Sequence, residues 1–297
     1  MTRITRVLCP VDFSDTSQHA LDHAGGIAGW YDARLTVLYV FANLPTMDLP
    51  PQVLEDAERA RLMTLLKEMA RRVSATVPTD FRIQEAASVH DELLAQVAAT
   101  HTDLLVLGTH GRSGFQQLFL GSVTEKVIRK APCPTLVVPP RAADVSPNAP
   151  VQFKQILCAV DFSASSLSAL AYALTLAEED DAHLTLFHAI EMPPELRENP
   201  LAPDFDVDRI HAAAEADARR RLNDLVPDAA RTYCTVETAV VEGRAYRRVL
   251  QHAAGQKADL IVMGVHGRGA IDLLLFGSTT HHVIRAAGCP VLIVRSA

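Results

Sequence analysis

The chain has no Lys- or Arg-rich run, no Cys-x-x-Cys pair and no unbroken apolar stretch approaching the ~20 residues that cross a bilayer. It also lacks the Gly-x4-Gly-Lys-[Ser/Thr] loop of P-loop enzymes. Each absence removes a class of function. With a formal charge of -7 and no basic cluster, a nucleic-acid groove or an anionic membrane surface is not the main partner. The N-terminus, Met1 to Arg6, leads straight into a strand-like run, and a cytoplasmic protein is expected. Five cysteines without metal or redox spacing are read as small buried apolar residues; Cys9 matches Cys158, Cys133 matches Cys289, and Cys234 has no counterpart.

What is present is a repeat. Gly108-Thr109-His110-Gly111, nine residues and Gly121-Ser122 return as Gly264-Val265-His266-Gly267, nine residues and Gly277-Ser278. Six of the fourteen glycines stand in these two loops, so backbone geometry is specified there, as close approach to a ligand requires. The duplication extends further, since Val7 to Ser14 (VLCPVDFS) returns as Ile156 to Ser163 (ILCAVDFS). At 297 residues with 48% hydrophobic content, two domains with a core each are expected. We place them at 1–140 and 154–297, joined by a linker over 141–153 that takes in most of the proline-rich run Pro139 to Pro150, whose prolines favour extended backbone.

Each half follows one plan. A strand ends near an Asp, a Ser/Ala/Leu helix follows, and second strands are expected at 34–41 and 183–190. Proline-bearing loops at 43–51 and 191–203 precede long charged helices at about 52–76 and 205–226. Third strands near 81–87 and 232–241 feed short helices at 91–100 and 245–254. Fourth strands at 103–107 and 259–263 run into the glycine loops, helices begin at Gly121-Ser122 and Gly277-Ser278, and last strands fall at 134–138 and 290–294. Alternating strands and helices, with continuous Val/Leu/Ile runs, predict α/β architecture: two doubly wound, five-stranded parallel sheets in tandem.

Ligands of such sheets bind at the carboxyl ends of the strands, where strand order reverses. Asp12 and Asp161 end the first strands and Gly108 and Gly264 the fourth. The loops deliver Ser122 and Ser278 to helix starts whose free N–H groups favour an anion, and a phosphate chain fits. Gly111 and Gly267 let the backbone approach phosphate oxygens, and Arg112 and Arg268 add charge. Asp12 and Asp161 accept from ribose hydroxyls, hold a phosphate-bound metal, or cap the following helix. His110 and His266 are expected to brace the loops. His19 and His23, at i, i+4 spacing with no third ligand, are read as a solvated helix face, and the adjacent His281 and His282 as surface variation.

With the Val-Asp-Phe-Ser start, the glycine loop and the closing Cys-Pro-x-Leu-x-Val strand in place, the chain resembles the universal stress protein family in a tandem arrangement, over both halves nearly end to end. The resemblance implies ATP or another adenine nucleotide, with Mg2+, held by Pro10, Asp12, Val40, Leu107, Gly108, His110, Gly111, Arg112, Gly121, Ser122 and Val123. In the second half it implies Ala159, Asp161, Ala189, Met263, Gly264, His266, Gly267, Arg268, Gly277, Ser278 and Thr279. It also implies that the halves pair through their last strands as an internal pseudo-dimer, with further homodimerisation and protein partners of a stress response open. Ala189 is smaller than Val40, and Ser113-Gly114 becomes Gly269-Ala270, so the two sites differ in affinity. Three functions stay in view: a nucleotide-dependent regulatory or interaction module, a slow ATPase or phosphotransferase on the same loops, and a nucleotide-free dimerisation scaffold.

Overall fold

A computed structural model describes residues 4–43, 54–109, 120–146, 151–191, 207–266 and 277–296. They divide into two compact units, Met1–Gln152 with Ala287–Arg295, and Phe153–Ala286 with Ser296–Ala297.

The first unit runs β1 (Arg6–Pro10), α1 (Asp15–Trp30), β2 (Arg34–Ala42), α2 (Asp56–Met69), α3 (Arg71–Ser74), β3 (Thr79–Ala86), α4 (Val89–Ala99), β4 (Leu104–Gly108), α5 (Ser122–Lys130) and β5 (Thr135–Val138). The second runs β6 (Gln155–Ala159), α6 (Ala164–Glu179), β7 (His183–Ile190), α7 (Val207–Asp224), α8 (Ala230–Tyr233), β8 (Thr235–Glu242), α9 (Ala245–Gly255), β9 (Leu260–Gly264) and α10 (Ser278–Ala286). The final strand, β10 (Val291–Val294), belongs to the first unit.

Strand order in the first unit is β3-β2-β1-β4-β5-β10; β1 to β5 are parallel, and β10 is antiparallel to β5, with Leu292 opposite Leu136. All four residues of β10 are buried, and its pairing removes the open edge that β5 would otherwise present. The second unit orders its parallel strands β9-β6-β7-β8. The α/β class and parallel-dominated sheets are as expected, while β10 pairs with β5 of the first unit.

The central strands contain little but apolar residues because both faces are covered. Val7, Leu8 and Cys9 in β1 and Ile156, Leu157 and Cys158 in β6 are all at most 1% exposed. Burying a side chain of Val or Leu size is worth about 2 kcal/mol, so these short runs fix which strands sit in the middle. Helices pack above and below them, α1 against β1 and β4, α6 against β6 and β9.

Three expectations need correction. The long helix of the first half is shorter at both ends and interrupted: α2 stops at Met69, Ala70 takes φ -90° and ψ 3°, and α3 adds one turn. The proline-rich run begins with a turn, because Ala142 N–H donates to the Pro139 carbonyl at 3.0 Å and Ala142 is buried. His23 is 2% exposed, not on a solvated face. Its Nδ1 bonds the His19 carbonyl at 2.9 Å, and burial lowers its pKa to about 4.

Candidate nucleotide site

At the end of β1 the chain turns through Val11, Asp12 and Phe13. Phe13 lies at φ +64°, and Phe162 at φ +64° repeats it. A bulky residue in the left-handed region costs about 1 kcal/mol or more, so the surroundings must hold it there. Asp12 Oδ1 accepts from Ser14 N–H at 3.1 Å and from the Ser14 hydroxyl at 2.6 Å, while Asp161 Oδ1 accepts from Ser163 at 3.0 and 2.6 Å. Each serine then caps a helix: Ser14 Oγ accepts from Ser17 N–H at 3.2 Å and Ser163 Oγ from Ser166 N–H at 3.3 Å. The aspartates are therefore not the caps. They orient the caps, one residue pair upstream.

The Phe13 ring lies 4.8 Å from Tyr39, and Phe162 lies 4.9 Å from His188 with the Arg221 guanidinium 3.8 Å over its other side. His188 Nδ1 donates to the Val160 carbonyl at 2.7 Å, joining β7 to the end of β6.

The fourth strands end at Gly108 and Gly264. A Cβ on Gly264 would stand 2.6 Å from Ser165 Oγ and 2.8 Å from Ser166 N, and one on Gly108 would stand 3.0 Å from the Thr16 carbonyl. These two glycines leave no room for a Cβ where the start of α1 or α6 presses on the strand end. Next, Gly121 N–H donates to the Thr109 carbonyl at 2.8 Å and Gly277 N–H to the Val265 carbonyl at 3.2 Å. Thr124 and Thr280 hydroxyls donate to the Gly108 and Gly264 carbonyls, both at 3.0 Å. The helix start is thus clamped to the strand end in both units. Gly121 occupies the N-cap position of α5 without a side-chain cap, so Ser122 is the first residue inside the helix and its hydroxyl is not spent on capping.

In the second unit these parts close around a cavity of about 390 Å3. Its walls include Ala159, Asp161, Ala189, Met263, Gly264, His266, Gly277, Ser278 and Thr279. Every described second-half residue of the expected site therefore meets in one place. In the first unit, Pro10 ends β1, Val40 lies in β2, Leu107 and Gly108 end β4, and Gly121, Ser122 and Val123 open α5. His110, Gly111, Arg112, Gly267 and Arg268 lie outside the described residues.

The cavity also has walls that the motif did not include: Val160, Ser166, Phe187, His188, Ala245, Val249 and Thr280. Thr280 carried a signal, since Thr124 repeats it two residues after the loop serine. Phe187, Ala245 and Val249 add apolar lining to the polar groups of Asp161, Gly277 and Ser278. The serines brace the loop through its backbone, because Ser165 Oγ donates to the His266 carbonyl at 2.6 Å. Both His266 ring nitrogens are buried at the cavity wall without a hydrogen-bond partner among the described residues. An adenine nucleotide fits these features, with a volume in the usual range of ligand clefts, an apolar side and donors at a helix start. Among the described residues no group of three or more His, Cys, Asp or Glu forms a metal site.

The Universal stress protein family model matches residues 3–139 and again 152–295. A universal stress protein of Mycobacterium tuberculosis is 28% identical over 299 residues, covering 97% of this chain and 96% of its own. One from Thermus aquaticus is 36% identical over 143 residues, 48% of this chain and 99% of that relative. In structure, a universal stress protein from Archaeoglobus fulgidus aligns with a TM-score of 0.67 at 20% identity, covering 98% of both chains, which speaks to the fold alone. No helix among the described residues is long and apolar enough to cross a membrane.

Proposed function

The chain belongs to the universal stress protein family, and we propose that it is a cytoplasmic module that binds ATP with magnesium and passes the bound state on to partners. The observation that carries this reading is the second-unit cavity, where Asp161, Met263, Gly264, Gly277 and Ser278 converge. Adenine lies against Phe187, Ala189 and Met263, whose burial of apolar surface contributes about 25 cal/mol per Å2. Asp161 takes the ribose hydroxyls or a phosphate-bound magnesium. The phosphates lie at Gly277, Ser278 and Thr279, where free N–H groups and the helix dipole favour negative charge. Pro10, Asp12, Val40, Leu107, Gly108, Gly121, Ser122 and Val123 form the equivalent site of the first unit, and Gly111 and Gly267 with Arg112 and Arg268 complete both loops.

The test has two parts. Purified protein is denatured and the released nucleotide identified, and the stripped protein is then titrated with ATP and magnesium in a thermal melt. At a hundred times its dissociation constant the ligand stabilises by about 2.7 kcal/mol, a rise of roughly 5 °C. Release of no adenine nucleotide together with an unmoved melt overturns the reading.

A further inference from the structure

The face formed by α9 and α10 carries charge of one sign. From Arg244, which precedes α9, to Gly255, and from Ser278 to Ala286, there are four arginines and three histidines and no Asp or Glu, in a chain whose net charge is -7. The equivalent stretch of the first half, Ser88–Ala99 and α5, mixes Asp91, Glu92 and Glu125 with Lys126, Arg129 and Lys130. At the positions of Arg244 and Arg247 the first half has Ser88 and Asp91.

Two of the arginines lie beside the candidate site with few partners among the described residues. Arg248 is spent on structure, its Nε donating to the Glu242 carbonyl at 2.7 Å and its Nη1 to Gln251 at 2.9 Å. Arg244 and Arg247 are exposed and converge on Tyr246. Arg247 Nε donates to the Tyr246 hydroxyl at 2.9 Å. The hydrogen bond from Arg247, and behind it that from Arg244, holds the phenol below its usual range. Tyr246 in turn stacks on His282, ring centroids 4.5 Å apart at 26°. His282 Nδ1 donates to the Ser278 carbonyl at 2.6 Å, in the turn that lines the cavity. Ala245, between Arg244 and Tyr246, is itself a cavity wall. The nearby carboxylate, Glu191, accepts from Ala245 N–H at 2.5 Å. Two guanidinium groups beside one phenol repel each other, and an anion at the mouth of the cavity offsets that repulsion.

We propose that Arg244 and Arg247 are specificity-determining residues of the second site, which read the outer phosphates of the nucleotide and select ATP over AMP. The inference rests on the nucleotide reading above. The inner phosphate is served by the start of α10, whereas further phosphates extend toward the rim, where the arginines meet them. Planar guanidinium forks suit that role. Asp91 at the equivalent place of the first half repels the same charge, so the two sites of one chain differ in how much of the phosphate chain they recognise.

Calorimetric titration of the stripped full-length protein with ATP and with AMP tests this, against the double variant Arg244→Gln with Arg247→Gln. In the native protein one class of site favours ATP by about tenfold or more. In the double variant ATP binding at that class weakens about tenfold while AMP binding changes less than twofold; the pair Arg244→Lys with Arg247→Lys recovers part of the loss. An unchanged ATP-to-AMP ratio overturns the assignment, as does an equal loss of both ligands, which reports structural damage. Failure of both nucleotides to bind the native protein defeats the underlying nucleotide reading instead.

Discussion

The Ser163 hydroxyl donates to Asp161 Oδ1 at 2.6 Å, and Ser14 does the same to Asp12 at 2.6 Å. One short bond in each unit thus joins the residue facing the site to the residue that starts the helix behind it. The carboxylate is fixed before any ligand arrives, so little ordering cost falls on binding.

Separating the two jobs of Asp161 is straightforward. Asp161→Asn keeps an oxygen to accept from Ser163 and removes the charge, so the urea midpoint should move by less than about 0.5 kcal/mol equivalent. Affinity for ATP with magnesium should fall by about tenfold in that unit. Ser163→Ala does the reverse first: it removes the α6 cap and costs about 1 kcal/mol of stability. A large stability loss in Asp161→Asn would mean that the carboxylate's charge, not its oxygen, holds the turn.

Two glycines of the second unit should respond to the same substitution with opposite signs. Gly264→Ala sets a methyl 2.8 Å from the Ser166 backbone nitrogen, which cannot move without shifting α6, and overpacking of this kind costs about 3 kcal/mol. Gly255, at the end of α9, has nothing within 4 Å of an added Cβ and lies outside the left-handed region. There Gly255→Ala should stabilise by about 0.5 kcal/mol through lost freedom of the unfolded chain. Thermal or urea unfolding of the two variants decides it.

Thiol chemistry checks the burial of Cys9 in β1 and Cys158 in β6, and of the half-buried Cys133 before β5. Desolvation raises the pKa of Cys158 to about 12 and of Cys133 to about 12, and pushes Cys9 up as well. Since the thiolate is the nucleophile, iodoacetamide at pH 8 should leave these three unmodified in the folded protein. Denatured protein should take five adducts, one for each cysteine in the chain. Rapid labelling of Cys158 in the folded state would contradict the packing of β6.

Much of this was legible in the sequence because duplication made it so. Asp161, Gly277 and Ser278 were found by comparing one half with the other and Met263 through the family resemblance, and they share one cavity. The role of Gly264 was not legible, since a glycine at a strand end reads alike whether a ligand or a helix presses on it. Only the position of Ser165 distinguishes them. The apolar wall from Phe187, Ala245 and Val249 was hidden for another reason: in the sequence, apolar residues of a cavity wall resemble those of a core. His23 was misread because i, i+4 spacing with His19 says nothing about which way the helix face turns, and α1 turns it inward.

That inward turn makes stability depend on pH. His23 is held neutral by burial, its pKa lowered from the usual 6.5 to about 4, although the bond to the His19 carbonyl works the other way. As pH falls below 6.5 the unfolded chain takes up a proton on this histidine while the folded one does not, so the unfolded state binds more protons. The contribution is present in full above about pH 6.5 and is lost progressively as pH falls toward 4, by on the order of 3 kcal/mol at most. Asp22, whose carboxyl is raised by burial on the same helix, opposes this at the acid end, because it takes up its proton sooner in the folded state. His23→Asn sets an amide N–H where Nδ1 stands, so it keeps a donor for the His19 carbonyl and has no charge to gain. Urea midpoints between pH 7 and 4.5 should therefore fall less steeply in this variant than in the native protein. Equal slopes would mean that the buried histidine is not what the acid attacks.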